Sequence, residues 1–339
     1  MKLSECERIL IVKPSSLGDI IHAIPAVEAI HRAAPSAKID WIANTEWVPL
    51  LEGIPFLDNV IPFPRREFRG VSGLFQAKRW IGEKVAPNGY DLALDFQGLL
   101  RSAMIAKLSK ARETVGFENA REGASHFYNH RVRVGDCSAI HAVDRNLLIA
   151  DAFGANISEP SFTLPEGDSL SVPVPENAIL LHPFSRGAGK SLSETEVCEL
   201  CEKLAPHPVI LAGFPEQSIS RKWPDNVRDL LGATTLPQLI HLIRETAWTV
   251  SVDSGPMHLA AALSDNVLSL HTWSNPEMVG PWRPNSYIFR DSQIVRVTDL
   301  GPNQFPERRD LKAAFASRER LFSESDIAAI AEFLKKRLP

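Results

Sequence analysis

Short apolar segments alternate with longer amphipathic segments along the chain, and this alternation predicts its secondary structure. Runs of four or five aliphatic and β-branched residues predict buried strands, whereas longer stretches with apolar residues on one face predict helices. In the first half the predicted strands and helices form the pairs 9–12 with 18–33, 39–42 with 46–52, 60–63 with 74–86, and 92–95 with 98–109. Such alternation is typical of βαβ units around a parallel sheet.

The segment 154–177 interrupts the alternation. Its sequence, GANISEPSFTLPEGDSLSVPVPEN, is rich in Pro, Ser and Glu and has no helical period, which is typical of a linker. A second series follows, with predicted strands at 178–181, 209–212, 249–252 and 267–271 and predicted helices at 193–204, 216–222, 235–246 and 256–263. The pattern therefore predicts two Rossmann-like, doubly wound α/β domains, residues 1–160 and residues 175–322.

The C-terminal segment SESDIAAIAEFLKKRLP predicts a further helix. Ser323 and Asp326 have the spacing of a capping box at its start. One face of the helix carries four apolar residues, Ile327, Ile330, Leu334 and Leu338. This stripe predicts a helix docked on a protein core, in preference to one lying on a membrane surface.

Composition narrows the classes of function. The 339 residues carry a formal net charge of -4 from mixed signs, so we expect no nucleic-acid partner, and an anionic ligand must be met by local cations. The chain shows no apolar run long enough for a membrane span or a secretory signal, which predicts a cytoplasmic protein without a transmembrane segment. The four cysteines lack a disulfide framework and are expected to be free thiols: Cys6, Cys137, Cys198 and Cys201.

The first candidate site lies in RILIVKPSSLGDIIHAIP, where a predicted strand ends at Lys13 and a helix follows. Open α/β sheets bind their ligands at such carboxyl strand ends. Asp19 falls in the first turn of the helix, where the helix dipole favours a carboxylate, so the pattern is compatible with a purely capping residue and with a catalytic one. The loop matches neither a Walker motif nor a dinucleotide fingerprint, which disfavours a hydride-transfer enzyme.

Two segments of the second half have the composition of phosphate sites. LLHPFSRGAGKSLSETEV follows a predicted strand with Ser185, Arg186 and Lys190, a set that suits a phosphate or a solvated loop. TVSVDSGPMHLAAAL opens a helix directly after a strand, so its first backbone N–H groups are predicted to face an anion. The residues at that opening are Asp253, Ser254, Gly255, Pro256 and His258.

Several basic residues of the first half fit either a solvated surface or an anionic acceptor, because arginine binds carboxylates and phosphates through two parallel hydrogen bonds. They are Arg65, Arg66, Arg69, Lys78, Arg79 and Arg121. Metal sites are not predicted. The pair Cys198 and Cys201 has no second pair or nearby His, and His126 and His130 lack the intervening Glu of a metalloprotease helix.

Taken together, these motifs resemble the bacterial lipopolysaccharide heptosyltransferases, glycosyltransferase family 9. The matching pieces are ILIVKPSSLGDIIHAIPAV, DLALDFQGLLRSA, GFENAREGASHFYNH, HPFSRGAGK and VDSGPMHLAAAL. They are spread over most of the chain, and their combination is more specific than any one of them. The NAREGASHFYN piece and the arginine-rich loop look most like the heptosyltransferase I branch, which adds the first heptose to the Kdo sugars of the inner core.

The resemblance implies a GT-B fold, in which two Rossmann-like domains face each other across a cleft. It implies an acceptor on the N-terminal domain, a nucleotide-sugar on the C-terminal domain, and a C-terminal helix, 323–339, that docks back onto the N-terminal domain. The implied reaction is an inverting, metal-independent transfer of heptose from ADP-heptose to an anionic, lipid-linked Kdo acceptor, with no cofactor. Peripheral contact with the inner face of the inner membrane is part of this expectation.

The resemblance also implies roles for the candidate residues. Asp19 is the expected catalytic base, and Lys190 is expected to stabilise charge on the departing diphosphate. The expected donor-binding residues are Ser185, Arg186, Lys190, Glu216, Asp253, Ser254, Gly255 and His258. The expected acceptor-binding residues are Lys13, Ser15, Ser16, Arg65, Arg66, Arg69 and Arg121.

Two segments depart from the family pattern. Ser191-Leu192 follows Lys190 where an aromatic residue and Pro are common, and HTWSNPEMVGPW replaces a more usual Gly-Pro turn near the nucleotide. Three alternatives therefore stay open: a family member with another acceptor or ADP-sugar, a GT-B nucleotide-sugar epimerase, and a non-catalytic nucleotide sensor.

Overall fold

The computed structural model describes residues 2–68, 70–135, 140–215 and 222–338. The chain divides into two compact units, Met1–Pro165 and Glu166–Pro339. The division falls inside the Pro- and Ser-rich segment 154–177, which was expected to be the linker.

The first unit is built on a six-stranded sheet in the order β3-β2-β1-β4-β5-β6, with every pair parallel. Its strands are β1 (Arg8–Val12), β2 (Lys38–Asn44), β3 (Asn59–Phe63), β4 (Leu92–Asp95), β5 (Glu113–Phe117) and β6 (His130–Val132). Its helices are α1 (Leu17–Ala33), α2 (Val48–Leu51), α3 (Gly70–Lys84), α4 (Leu100–Leu108) and α5 (Ala142–Asp151). The strand order reverses between β1 and β4, which is where doubly wound sheets bind ligands.

The second unit contains a seven-stranded sheet in the order β13-β12-β11-β10-β7-β8-β9. Its strands are β7 (Ile179–His182), β8 (Val209–Gly213), β9 (Val227–Leu231), β10 (Trp248–Val252), β11 (Val267–Leu270), β12 (Tyr287–Arg290) and β13 (Gln293–Arg296). Its helices are α6 (Glu194–Leu204), α7 (Leu236–Glu245), α8 (Gly255–Leu263), α9 (Pro276–Val279), α10 (Lys312–Ala316) and α11 (Glu324–Lys335). Here the order reverses between β7 and β10, and only β12 and β13 pair antiparallel.

The C-terminal helix α11 (Glu324–Lys335) packs within the second unit. Its capping box is present, since Asp326 N donates to Ser323 Oγ and Ser323 N to Asp326 Oδ2. The apolar stripe, however, packs against α6 and joins the core beneath β7 and β8 of the second unit. This stripe is fully covered there at Ile327, Ile330 and Leu334. The structure therefore packs the apolar stripe of this helix in the core of the second unit, and docking of the helix onto the N-terminal domain stays a prediction.

Smaller differences concern short elements. The predicted helix 46–52 is a 3-10 turn, Thr45–Trp47, followed by α2. The predicted helix 216–222 falls almost entirely outside the described residues, as do Arg69, Cys137 and Glu216. No helix of the described ranges is long and apolar enough to cross a bilayer.

The two discounted metal patterns have structural explanations. Cys198 and Cys201 are buried on α6, and neither forms a disulfide. His126 lies in a 3-10 turn and His130 on β6, so the two histidines share no helix. Within the part of the chain that the structure describes, no group of three His, Cys, Asp or Glu residues could hold a metal ion.

Candidate active site

Asp19 stands at the carboxyl edge of the first sheet, where β1 passes into α1. Its Oδ2 accepts hydrogen bonds from Ser16 N at 3.0 Å and Ser16 Oγ at 2.7 Å. This capping box fixes the carboxylate in the first helical turn, yet 51% of the side chain is exposed. The capping role and an accessible carboxylate therefore coexist in one residue.

Lys13 lies beneath this carboxylate. Its Nζ is 4.0 Å from Asp19 Oδ1 and donates to the carbonyl of Phe96 at 3.0 Å. Burial lowers the pKa of Lys13, although the negative charges of Asp19 and Asp95 oppose that effect. A buried amine thus faces the half-exposed carboxylate from the sheet side.

Asp95, at the carboxyl end of β4, is a buried residue that sequence reasoning missed. Its Oδ1 accepts from the backbone of Gln97 at 2.8 Å and Gly98 at 3.1 Å. Its Oδ2 accepts from Ser102 Oγ at 2.8 Å and Tyr128 Oη at 2.7 Å. Burial raises the pKa of this carboxyl, while the four donors oppose the rise.

The loop that Asp95 holds supports the site from the β4 side. Gln97 Oε1 accepts from Ser15 N at 3.3 Å, and the carbonyl of Phe96 accepts from Lys13. By holding this loop, Asp95 helps to position Lys13 and Ser15, which lie between β1 and Asp19. The available signal was the DFQG sequence, because its Asp is the last residue of the predicted strand 92–95.

The predicted acceptor arginines lie on loops at the same edge of the first sheet. Arg65 and Arg66 are exposed in the turn after β3. Arg121 is exposed after β5, and its backbone N donates to Gly98 O at 3.0 Å. Arg145, which sequence reasoning missed, stacks on Phe117 at 3.8 Å, and burial lowers its pKa. Several cations thus surround this edge.

Asp253 directly follows β10 in the second unit and is paired with Lys190. Lys190 Nζ lies 2.5 Å from Asp253 Oδ2, which also accepts from Ser274 Oγ. The carboxylate is 6% exposed and the lysine 14%. Burial opposes ionisation of Asp253, but His271, Lys190 and His258 together lower its pKa to about 2.

His271, a further residue missed from sequence, lies behind this pair. Its Nδ1 is 3.2 Å from Ser274 Oγ and its Nε2 is 3.1 Å from Ser269 Oγ. Burial lowers the pKa of His271 to about 4, so the imidazole is neutral at pH 7. Lys190 is then the cation that balances Asp253 under neutral conditions.

The loop that carries Lys190 is fastened to the segment after β11. Thr272 Oγ1 donates to Gly189 O at 2.8 Å, and Trp273 Nε1 donates to Ala188 O at 3.1 Å. Lys190 Nζ also lies 4.5 Å from the centre of the Trp273 ring. The HTWS sequence that departs from the family pattern therefore holds the lysine loop in place.

The remaining donor-side residues surround the same strand ends. Ser185 Oγ donates to the carbonyl of Asp253 at 3.2 Å, and Arg186 is exposed on the loop. Ser254 occupies the N-cap position of α8, whose first turn contains Gly255 and His258. The positive end of the α8 dipole therefore lies beside Lys190 and Asp253. Glu216 lies outside the described residues, so its role at a ribose stays a prediction.

Comparisons with known proteins agree with these features. The model of glycosyltransferase family 9 (heptosyltransferase) matches residues 79–300. Lipopolysaccharide heptosyltransferase 1 of Pseudomonas aeruginosa is 30% identical over 81% of this chain and 81% of its own length. Its counterpart from an Escherichia coli strain is 28% identical over 91% of this chain and 99% of its own length.

A solved structure shows the same fold. The E. coli heptosyltransferase WaaC, determined with ADP-2-deoxy-2-fluoro heptose, has a TM-score of 0.70 and 22% identity, and covers 97% of this chain and 99% of its own. The fold class is therefore the GT-B type that the sequence predicted. With a family model matching about two thirds of its length, the chain belongs to glycosyltransferase family 9, the heptosyltransferases.

Proposed function

We propose that the enzyme transfers heptose, with inversion, from ADP-heptose to a Kdo-containing acceptor of the lipopolysaccharide inner core. The observation that carries this proposal is the contrast between two carboxylates at equivalent sheet edges. Asp19 is half-exposed and held by a helix cap, whereas Asp253 is buried and neutralised by Lys190. Of these two carboxylates, only Asp19 is exposed enough for a substrate hydroxyl to reach it and transfer a proton to it.

Asp19 acts as the base in this mechanism. The acceptor hydroxyl oxygen attacks the anomeric carbon and forms the new C–O bond, while its proton passes to the Asp19 carboxylate. The bond between the anomeric carbon and the diphosphate oxygen breaks, and its electron pair leaves with ADP. Attack from the face opposite the leaving group inverts the configuration at the anomeric carbon.

The second unit stabilises the leaving group. Lys190 and the N-terminus of α8 supply positive charge beside the predicted diphosphate position. Asp253 and Trp273 hold the ammonium group before the reaction, so little reorganisation is needed as charge develops. The similar WaaC structure, determined with ADP-2-deoxy-2-fluoro heptose, supports this donor.

The first unit receives the acceptor. Arg65, Arg66 and Arg121 are exposed at the sheet edge that carries Asp19, and arginine suits the carboxylates and phosphates of an anionic Kdo-lipid. The relatives named lipopolysaccharide heptosyltransferase 1 support an inner-core acceptor. We assign the enzyme to the cytoplasmic side of the inner membrane, where it meets this lipid by peripheral contact.

An ADP-release assay tests the proposal. The enzyme is incubated with ADP-heptose alone, with a Kdo-terminated acceptor and with a heptose-terminated acceptor. We expect ADP release and product only with the Kdo acceptor, and an unchanged rate after addition of EDTA. Conversion of the donor without an acceptor would indicate an epimerase. ADP release with only the heptose-terminated acceptor would indicate a family member with another acceptor. Absence of turnover under all three conditions would favour a nucleotide sensor.

A further inference from the structure

Exposed apolar side chains are concentrated in one region of the first unit. Six large hydrophobic residues are exposed in the described part of the chain. Their exposed fractions are 60% for Leu74, 72% for Phe75, 39% for Leu100, 38% for Met104, 46% for Val172 and 67% for Phe214. The first four all lie in the first two turns of α3 and α4. Such clustering differs from the scattered exposed apolar residues of an ordinary surface and is typical of an interaction site.

These four residues lie at the edge of the sheet that carries Asp19. α3 follows β3 and α4 follows β4, and in a parallel sheet all strands end at the same edge. The two helices are neighbours, because both contribute to one core cluster through Ile81 and Ile105. Both exposed turns therefore begin at the carboxyl edge, on the face of the sheet that α3 and α4 share. We name their exposed apolar residues the α3–α4 surface: Leu74, Phe75, Leu100 and Met104.

Positive charge surrounds the α3–α4 surface. Arg65 and Arg66 precede α3, Lys78 lies one turn after Leu74, and Arg101 follows Leu100; all four are exposed. Arg121 is also exposed and adjoins the start of α4 through its bond to Gly98 O.

The acidic residues of this region compensate only part of that charge. Glu83 pairs with Arg79 at 2.7 Å, and Glu122 accepts from the backbone of Leu100 at 3.1 Å. Glu67 is exposed next to Arg66. Cations therefore remain in excess around the apolar residues, in a chain whose net charge is -4.

We propose that the α3–α4 surface docks on an anionic phospholipid bilayer and thereby presents Asp19 to the membrane plane. Exposed aromatic and aliphatic side chains beside basic residues fit the headgroup layer of such a bilayer. A second copy of this chain fits less well, because two surfaces with the same positive charge repel each other. The inference deepens the proposed function, since it depends on the acceptor being lipid-linked.

Vesicle flotation of the full chain tests the proposal. Wild type is mixed with vesicles of phosphatidylethanolamine and phosphatidylglycerol, or of phosphatidylcholine alone. We expect binding to the anionic vesicles that weakens as salt rises. The double variant Leu74→Ser/Phe75→Ser should bind at least about tenfold more weakly, and each of Arg65→Gln and Arg66→Gln about fivefold more weakly.

Phe214→Ser is the matched control, because Phe214 is an equally exposed aromatic residue in the second unit. It should bind vesicles as wild type does. Thermal unfolding of every variant should match wild type, as expected for exposed positions. Equal binding of wild type to both vesicle types, absence of binding, or an equal loss in Phe214→Ser would overturn the proposal.

A second readout separates this inference from the proposed function. Leu74→Ser/Phe75→Ser should retain wild-type turnover on a deacylated Kdo acceptor in solution and lose turnover on the acylated acceptor in vesicles. Equal turnover of this variant and wild type on the vesicle-bound acceptor would contradict membrane docking and leave the proposed reaction intact. Wild-type vesicle binding without turnover on either acceptor would support docking and contradict the proposed reaction.

Discussion

The two units contain acid–lysine pairs at corresponding edges of their sheets, and the two carboxylates differ in exposure, 51% for Asp19 against 6% for Asp253. In the first unit the lysine is buried and the carboxylate exposed, and Lys13 Nζ is 4.0 Å from Asp19 Oδ1. In the second unit the carboxylate is buried and Lys190 contacts Asp253 Oδ2 at 2.5 Å. The same two groups are thus arranged for opposite tasks.

Exposure and hydrogen bonding determine those tasks. Asp19 Oδ2 is occupied by Ser16, but the half-exposed carboxylate has room for an incoming hydroxyl. Asp253 is occupied by Lys190 and Ser274 and is nearly inaccessible, so it serves to hold the cation. The comparison teaches that the presence of an acid at a strand end is less informative than whether its carboxylate is exposed or buried.

Removal of the exposed carboxylate should give the largest effect. Asp19→Ala is expected to lower kcat about 100- to 10,000-fold, because the acceptor hydroxyl loses its base. ADP affinity should stay within about twofold of wild type, because Asp19 lies in the other unit from the donor residues. Steady-state ADP release together with calorimetry of ADP binding measures both. A kcat near that of wild type would show that Asp19 is not the catalytic base.

Removal of the second unit's lysine should affect both turnover and stability. Lys190→Met is expected to lower kcat about 100- to 1,000-fold through loss of leaving-group stabilisation. It should also lower the free energy of unfolding by about 3–5 kcal/mol, because Asp253 is left as an unpaired buried charge. Denaturant unfolding and ADP release on the same protein measure the two losses.

The control for this variant is Lys190→Met/Asp253→Asn. Since the double variant has no unpaired charge, it should recover much of the stability and none of the turnover. Recovery of both would show that Lys190 acts only through folding.

The buried carboxylate should make stability depend on pH in a defined window. The folded-state pKa of Asp253 is about 2 against an ordinary 3.8, so it contributes about 2 kcal/mol of stability above pH 4. This contribution is lost as pH falls from about 4 towards 2, because the unfolded state takes up the proton first. Asp253→Asn should flatten that window in an acid-unfolding series.

Removal of the first unit's lysine should have the smallest effect on stability. Lys13→Met is expected to change the free energy of unfolding by no more than about 1 kcal/mol, because Asp19 remains solvated without it. Chemical denaturation beside Lys190→Met gives the direct comparison. A loss as large as that of Lys190→Met would mean that the two pairs are equivalent, contrary to their difference in burial.

The fold was largely predictable because buried parallel strands form continuous apolar runs. The runs at 9–12, 92–95 and 249–252 correspond to β1, β4 and β10. The antiparallel pair β12 and β13 was not predicted, because their sequences, YIFR and QIVR, are not continuous apolar runs. The amphipathic stripe of α11 showed that the helix needed a partner surface, but it carried no information on which unit supplies it.

The sequence identified candidate site residues, but it did not identify the contacts between them. Asp19, Lys190 and Asp253 follow apolar strands and could be selected from sequence. The Lys190–Asp253 contact spans 63 positions and depends on β7 lying beside β10, which local pattern does not encode. Asp95 and His271 support these residues from behind. In the sequence, the two are visible only as an isolated acid and an isolated imidazole.

The central claim is that Asp19 takes the proton while Asp253 holds the cation. Its most direct test is single-turnover heptose transfer in Asp19→Asn and Asp253→Asn, after the affinity of each variant for ADP-heptose has been measured by calorimetry. We predict that Asp19→Asn binds ADP-heptose as wild type does and transfers at least about 100-fold more slowly, whereas Asp253→Asn binds ADP-heptose more weakly. Wild-type transfer by Asp19→Asn, or weakened donor binding in that variant alone, would contradict the account.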